Sequence, residues 1–144
     1  MPEPGQLINV TISDLAFGGD GVARLEEGPV VFVPFAALGD VLEVEITECK
    51  KSYLRGRITQ ILVAGPDRIE PPCRHFGRCG GCSYQHLQYS AEFAAKQKQL
   101  LDLLQRIGGF QSLPPLDSSF AAPVLYGYRN KLRLEPSEPV REDD

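Results

Sequence analysis

The sequence predicts a mainly β fold: a five-stranded N-terminal barrel, then a cysteine-rich loop, one α-helix and the start of an incomplete α+β region. Three observations predict it. Apolar and polar residues alternate near residues 8–13 and 42–47, the period of a half-buried strand. Glycine-bearing turns separate short β-branched runs as far as residue 64. Beyond them, three of the four cysteines fall between positions 73 and 82.

Taken in order, Ile8, Val10 and Ile12 alternate with Asn9, Thr11 and Ser13 as a first strand. A Gly18-Gly19-Asp20-Gly21 turn leads into Val22-Ala23-Arg24-Leu25, and Glu26-Glu27-Gly28 makes the next turn. Val30-Val31-Phe32-Val33 is a compact apolar strand ended by Pro34. Leu42, Val44 and Ile46 alternate with Glu43, Glu45 and Thr47, and a last strand runs over residues 53–62. Five short strands with tight turns suit a closed barrel of the OB kind, in which no sheet edge is left open. Gly65-Pro66-Asp67 and Pro71-Pro72 bracket a linker. Ser90 is the expected N-cap of a helix. Phe93, Leu100, Leu101, Leu104 and Ile107 recur along it at helical spacing, and Gly108-Gly109 stop it. Tyr128 to Leu134 reads as a strand with no visible partner, which would not be stable alone. The expected divisions are 1–64 (barrel), 65–89 (linker and cysteine loop) and 90–144 (helix and the opening of a further domain).

Charge narrows the function. The 144 residues carry a net charge of -4, and all of it falls on residues 1–64, because the remainder balances. Such a barrel does not bind nucleic acid through its overall field, so any contact relies on local clusters or on stacking. Lys50, Lys51, Arg55 and Arg57 form one cluster, interleaved with the aromatics Phe17, Phe32, Phe35 and Tyr53. Basic tracks with stacking platforms are how small barrels hold single-stranded RNA. Phe32, inside an apolar run, is nonetheless expected in the core. Arg129, Lys131 and Arg133 alternate and would share one strand face. No run approaches the roughly 20 apolar residues of a membrane helix, and the first residues do not read as a secretory signal. A soluble, cytoplasmic protein that contacts neither membrane nor DNA is expected.

Cys73-x5-Cys79-x2-Cys82 is the strongest chemical signal. Bunched cysteines in a cytosolic protein read as metal ligands before disulfides, and soft thiolates suit iron–sulfur clusters or zinc. A cluster usually takes four ligands. Cys49, His75, His86, a second chain or residues beyond this stretch are candidates for the fourth, and His75 would complete a zinc site of three cysteines and one histidine. Cys49, ending a strand, reads more simply as a lone edge-strand cysteine. His86 has three readings: RNA contact, helix cap, or packing beside the cysteine loop.

Cys73-Arg74-His75-Phe76-Gly77-Arg78-Cys79-Gly80-Gly81-Cys82 resembles the cluster loop of the RNA (uracil-C5)-methyltransferases. Gln85-His86-Leu87-Gln88-Tyr89 and Lys96-Gln97-Lys98-Gln99 resemble the same family, as does Tyr126-Gly127-Tyr128-Arg129-Asn130-Lys131. Upstream, Gly18 to Arg24, Val31-Phe32-Val33-Pro34 and Lys50 to Gly56 look like its TRAM domain. The resemblance implies a TRAM RNA-binding barrel followed by Cys73, Cys79 and Cys82 as ligands of a [4Fe-4S] cluster, with zinc the alternative metal. The family's fourth cysteine lies further on, and no cysteine follows Cys82 here. Its methyltransferase domain, with the S-adenosylmethionine site and the catalytic residues, has no counterpart in these residues. No catalytic residue is therefore assigned. The expected partner is RNA, ribosomal before transfer RNA, and the parent would be a 23S rRNA (uracil-C5)-methyltransferase of which this stretch is the N-terminal fragment. The competing expectations are a free-standing, non-catalytic RNA-binding protein with a structural metal, and a zinc or redox protein without RNA.

Overall fold

The computed structural model describes residues 2–26, 28–116 and 118–131. Six strands precede one helix: β1 (Leu7–Thr11), β2 (Asp14–Leu15), β3 (Gly21–Arg24), β4 (Val30–Val33), β5 (Val41–Cys49), β6 (Tyr53–Val63) and α1 (Tyr89–Arg106). They form one curled sheet in the order β1-β5-β6-β4-β3-β2, a half-barrel of six strands whose edges are β1 and β2 rather than the closed five-stranded barrel expected. Every pairing is antiparallel except β4 with β6. The five expected strands are all present. The sixth, β2, has two residues and is too short to show any periodicity.

The sheet curls because its two edges are consecutive pieces of chain. Only Ile12 and Ser13 separate β1 from β2. The Ile12 amide donates to Asp40 O and the Ser13 amide to Val22 O, so one stretch continues the ladders of both edges. The enclosed core is Val10, Ile12, Ala23, Val31, Val33, Leu42, Val44, Ile46 and Leu54, all buried. β5 follows its alternation: Leu42, Val44 and Ile46 point inward and Glu43 and Glu45 outward. β4 corrects an expectation. Val31 and Val33 are fully buried, so the strict period of a strand puts Phe32 on the outer face, half-buried. An all-apolar run hides which face is inward, and only the neighbouring strands decide. Cys49 is corrected too: β5 is an interior strand, and its Sγ lies 3.2 Å from Pro2 O.

Asp40 is the knot between barrel and linker. Its side chain is fully buried, yet it accepts the amides of Ala37 (2.6 Å) and Gly65 (2.8 Å) and the guanidinium of Arg68 at 2.6–3.1 Å. Burial alone would raise the Asp40 pKa, but Arg68 and the two amides outweigh it and hold the carboxyl below its ordinary range. Arg68 also donates to Phe35 O at 2.8 Å. Phe35 sits at φ 61°, a conformation that costs a non-glycine residue free energy and that this bond helps to hold. Gly65 is required for the approach: a Cβ there would stand 2.2 Å from Leu38 O.

The linker then passes the barrel's order onward. Ile69 N donates to His86 O and Gln88 N to Asp67 O, closing the cysteine segment at its base. α1 begins at Tyr89 with Gln88 as N-cap, so Ser90 lies within the first turn rather than capping it. Gln88 holds the cap position because its amide is tied to Asp67. At the other end Gly108 N bonds Leu103 O, and Gly109 takes a positive φ of 68°, as the Gly-Gly pair predicts. The expected apolar stripe is not the docking face: Leu100 is 47% and Ile107 80% exposed. The helix docks through Ala95 and the buried Gln99 onto Leu15, Ala37 and Leu87, where small side chains permit close approach. Gln99 donates to Ala16 O (2.9 Å) and accepts from Tyr84 Oη (3.2 Å). Lys98 pairs with Asp14 at 2.8 Å, and Lys96 stands 5.0 Å above the Tyr84 ring.

Residues 128–131 form no strand, contrary to expectation, and Leu132, Arg133 and Leu134 lie outside the described residues, as does the acidic tail Glu142-Asp143-Asp144. No helix among the described residues is long and apolar enough to cross a membrane.

Replacing Asp40 by Ala leaves Arg68 buried without its partner, which costs about 3–5 kcal/mol. Urea unfolding of Asp40→Ala against the parent should show that loss, and an unchanged midpoint would mean the pair does not hold the linker.

Candidate nucleic-acid face and cysteine loop

Strand register assembles a patch that is scattered in sequence. Val22 pairs with Phe32 and Phe32 with Arg55; Arg24 pairs with Val30 and Val30 with Tyr53. Arg24, Phe32, Tyr53 and Arg55 therefore share the outer face of β3, β4 and β6. The Phe32 and Tyr53 rings meet edge to face, 5.7 Å apart at 77°. Arg24 escapes a search for charge clusters because it stands alone in the sequence, and only its place opposite Val30 brings it beside the aromatics.

The basic residues expected to meet RNA mostly hold carboxylates. Arg55 pairs with Asp20 at 3.0 Å, Arg57 with Glu45, and Lys50 with Glu48 at 2.6 Å. The hydrogen bond to Glu48, followed by its charge, raises the Lys50 pKa. Lys51 lies exposed in the β5–β6 turn. Exposed pairs of this kind are screened by solvent and weak, so a phosphate can displace the carboxylates at small cost. Arg129 stands 5.8 Å from its neighbour's ring, Tyr128, and Lys131 is exposed. Both lie in irregular chain rather than on one strand face.

The cysteine loop hangs from the linker's base. Cys73 is half-buried and Cys79 and Cys82 are exposed, all as free thiols. Phe76 N bonds Cys73 O, and the amides of Arg78 and Cys79 both reach His75 O, giving tight turns helped by Gly77 and Gly80 at positive φ. Gln85 clasps the loop's ends: its Oε1 accepts the Cys73 amide at 3.3 Å and its Nε2 donates to Cys82 Sγ at 3.1 Å. Tyr126 is half exposed. Burial first, and then Glu92, Cys82 and Cys73, push its phenol pKa up. The donor chemistry and the Gln85 amide fit a soft metal or cluster. Among the described residues no group of three or more His, Cys, Asp or Glu is arranged to hold a metal ion. Of the other candidate ligands, Cys49 belongs to the barrel core's margin and His75 Nε2 accepts from Arg74 at 3.1 Å.

His86 is fully buried and belongs to the loop's foundation. Its Nε2 lies 3.1 Å from Ala36 O, so that nitrogen carries the proton, and Nδ1 is buried without a partner. Its ring packs against Phe76 of the cysteine loop (5.5 Å) and Phe35 of the barrel (6.4 Å), which themselves meet at 5.1 Å. Desolvation lowers its pKa, offset in part by the Ala36 bond and reinforced by nearby Arg68. His86 thus packs by the cysteine loop and neither caps the helix nor faces solvent.

Residues 3–59 match the TRAM domain. The chain is 45% identical over 127 residues to an uncharacterized RNA methyltransferase of Gloeobacter violaceus, covering 88% of this chain and 28% of that protein. It is 40% identical over 136 residues to the 23S rRNA (uracil(1939)-C(5))-methyltransferase of Methylococcus capsulatus, covering 92% of this chain and 29% of that protein. A crystal structure of Pyrococcus abyssi tRNA (uracil-54, C5)-methyltransferase with S-adenosyl-L-homocysteine aligns at TM-score 0.47 and 33% identity over 71% of this chain and 21% of that one. The chain spans less than a third of the length of these relatives.

A histidine kept neutral by burial makes the folded state weaker as pH falls below the unfolded value of about 6.5, because only the unfolded chain then takes the proton freely. Asp40, held below its ordinary range, adds to this only in stronger acid. Thermal melting between pH 7 and 5 should therefore show declining stability. The slope should flatten in His86→Phe, and an identical slope in both would exclude His86 as its cause.

Proposed function

From a TRAM-bearing chain related to RNA methyltransferases, we infer that this stretch is the RNA-binding and cluster-ligating part of an S-adenosylmethionine-dependent RNA (uracil-C5)-methyltransferase that acts on 23S rRNA. The observation that carries the reading is the union, in one continuous stretch, of a TRAM barrel with an aromatic and basic outer face and a three-thiol loop clamped to its base. Methyl transfer from S-adenosylmethionine to uracil C5 belongs to the rest of such an enzyme, and no residue here is assigned to it. The barrel's task is to hold single-stranded RNA: Lys50, Lys51, Arg55 and Arg57 meet phosphate while bases stack on exposed rings. Arg129 and Lys131 would extend that track.

Cys73, Cys79 and Cys82 would ligate a [4Fe-4S] cluster, with a fourth ligand from elsewhere in the enzyme. The cluster supplies folding free energy to a segment too small for a core of its own. Gln85 orients two of the three ligands and donates to a sulfur, as outer-shell partners of metal sites do.

Two measurements test the two halves. Binding of uracil-containing single-stranded RNA should weaken with salt, with a log–log slope near about -0.7 per phosphate contact. Affinity that is absent or indifferent to salt overturns the RNA assignment. Anaerobically purified protein should contain iron and acid-labile sulfide, reduced in Cys73→Ser, Cys79→Ser and Cys82→Ser and, more mildly, in Gln85→Leu. Zinc without sulfide would replace the cluster with a three-thiolate zinc site.

A further inference from the structure

The last turns of α1 stand away from the sheet and leave a cleft of about 450 Å³ against β2, β3 and β4. Phe32 forms its floor and Leu103 and Ile107 of the helix its far wall, while Phe17 reaches in from the β2–β3 turn. Phe17 is 75% and Ile107 80% exposed. Two large apolar side chains bordering one concavity mark a place where a ligand covers them. The volume lies within the range of small-ligand sites.

Charge indicates which ligand. Arg24 and Arg106 border the cleft, Arg24 from β3 and Arg106 from the helix end. The acidic residues on the same walls, Asp14 and Asp102, are each held by Lys98 at 2.8 Å. The lining itself thus balances two arginines against two carboxylates, and Lys98, outside the lining, tips the neighbourhood to positive. A cleft of mixed polar and apolar lining, with two phenylalanines and two arginines on its walls, fits an unstacked nucleobase with its flanking phosphates. Bases of single strands are taken up in this way, on aromatic faces and arginine planes.

We propose that the cleft between the outer sheet face and the C-terminal turns of α1 binds one splayed base of a single-stranded RNA, stacked at Phe32 and Phe17, with its flanking phosphates on Arg24 and Arg106. The proposal rests on the RNA reading above and adds the subsite. It also moves the specific contact away from the Lys50-Lys51 turn, which supplies only diffuse charge. Helix and barrel form the cleft together, so the docking of Gln99 and Lys98 on β2 becomes part of RNA recognition.

The test uses the whole chain and single-stranded oligonucleotides carrying one 2-aminopurine, whose fluorescence reports stacking. Phe17→Ala removes an exposed ring, and Ile107→Trp fills the cleft from an exposed position, so neither disturbs the core. Thermal melting checks that both stay folded. Each should weaken binding by about 5- to 150-fold, the effect of one stacked base, and abolish the quenching. A Lys50→Gln, Lys51→Gln double variant should lower affinity and the salt slope yet keep the quenching. If the parent binds RNA but both cleft variants bind and quench like it, the cleft assignment is overturned and the RNA reading stands. If the parent binds no RNA, both fall.

Discussion

The buried carboxylate of Asp40 is the constraint on which the rest of the structure depends. It accepts amides from two segments and a guanidinium from a third, so the β4–β5 connection, the end of β6 and the linker meet at one point. A charge without water must be paired and fully hydrogen-bonded or it is costly, and here every neighbour that satisfies it is also a piece of chain that has to be placed. Arg68, once placed, also donates from Nη2 to Phe35 O, and the next residue along, Ile69, binds His86 O. The position of the cysteine loop therefore descends from an ion pair in the barrel.

That descent explains why loop and barrel act as one body at their junction. Phe76 leaves the cysteine loop to pack between Phe35 and His86, and His86 in turn bonds the barrel backbone at Ala36. The loop is thus firm at its base and open at its tip, where Cys79 and Cys82 are exposed. The ends are fixed by Gln85 and the linker, while the middle carries Gly77 and Gly80 at positive φ.

The nucleic-acid face follows from β alternation combined with curl. Once Val31, Val33 and Leu54 fill the interior, Phe32, Tyr53 and Arg55 have only the outside left, and β3 adds Arg24 to the same surface. The carboxylates among them temper the charge, so the RNA contact proposed above would rest on stacking and local clusters more than on the field of a barrel of net negative charge. Helix α1 completes the surface, because its docking residues are small or polar and Leu103 and Ile107 at its end line the cleft.

Much of this was legible in the residues themselves. Alternation in Leu42, Val44 and Ile46, glycine turns and the Gly-Gly stop are local signals, so the five strands, the helix end and the barrel class could be read without coordinates. The bunched cysteines and the ordered resemblances located the loop and the family in the same way. Other features are long-range and left no local trace. The two-residue β2 exists only because β3 offers it a ladder, and Gln88 outranks Ser90 as cap because Asp67 holds its amide. An uninterrupted apolar run gave Phe32 no outward mark, and a Leu-rich helix face concealed that Ala95 and Gln99 do the docking. Asp40 and Arg68 are 28 positions apart and look like ordinary surface charges in the chain. Sequence by itself determined the five longer strands, the helix and the thiol loop, since those depend on the spacing of neighbours along the chain. The tertiary structure decided which face each segment buries and which charges meet, because those depend on residues brought close only by closure of the sheet.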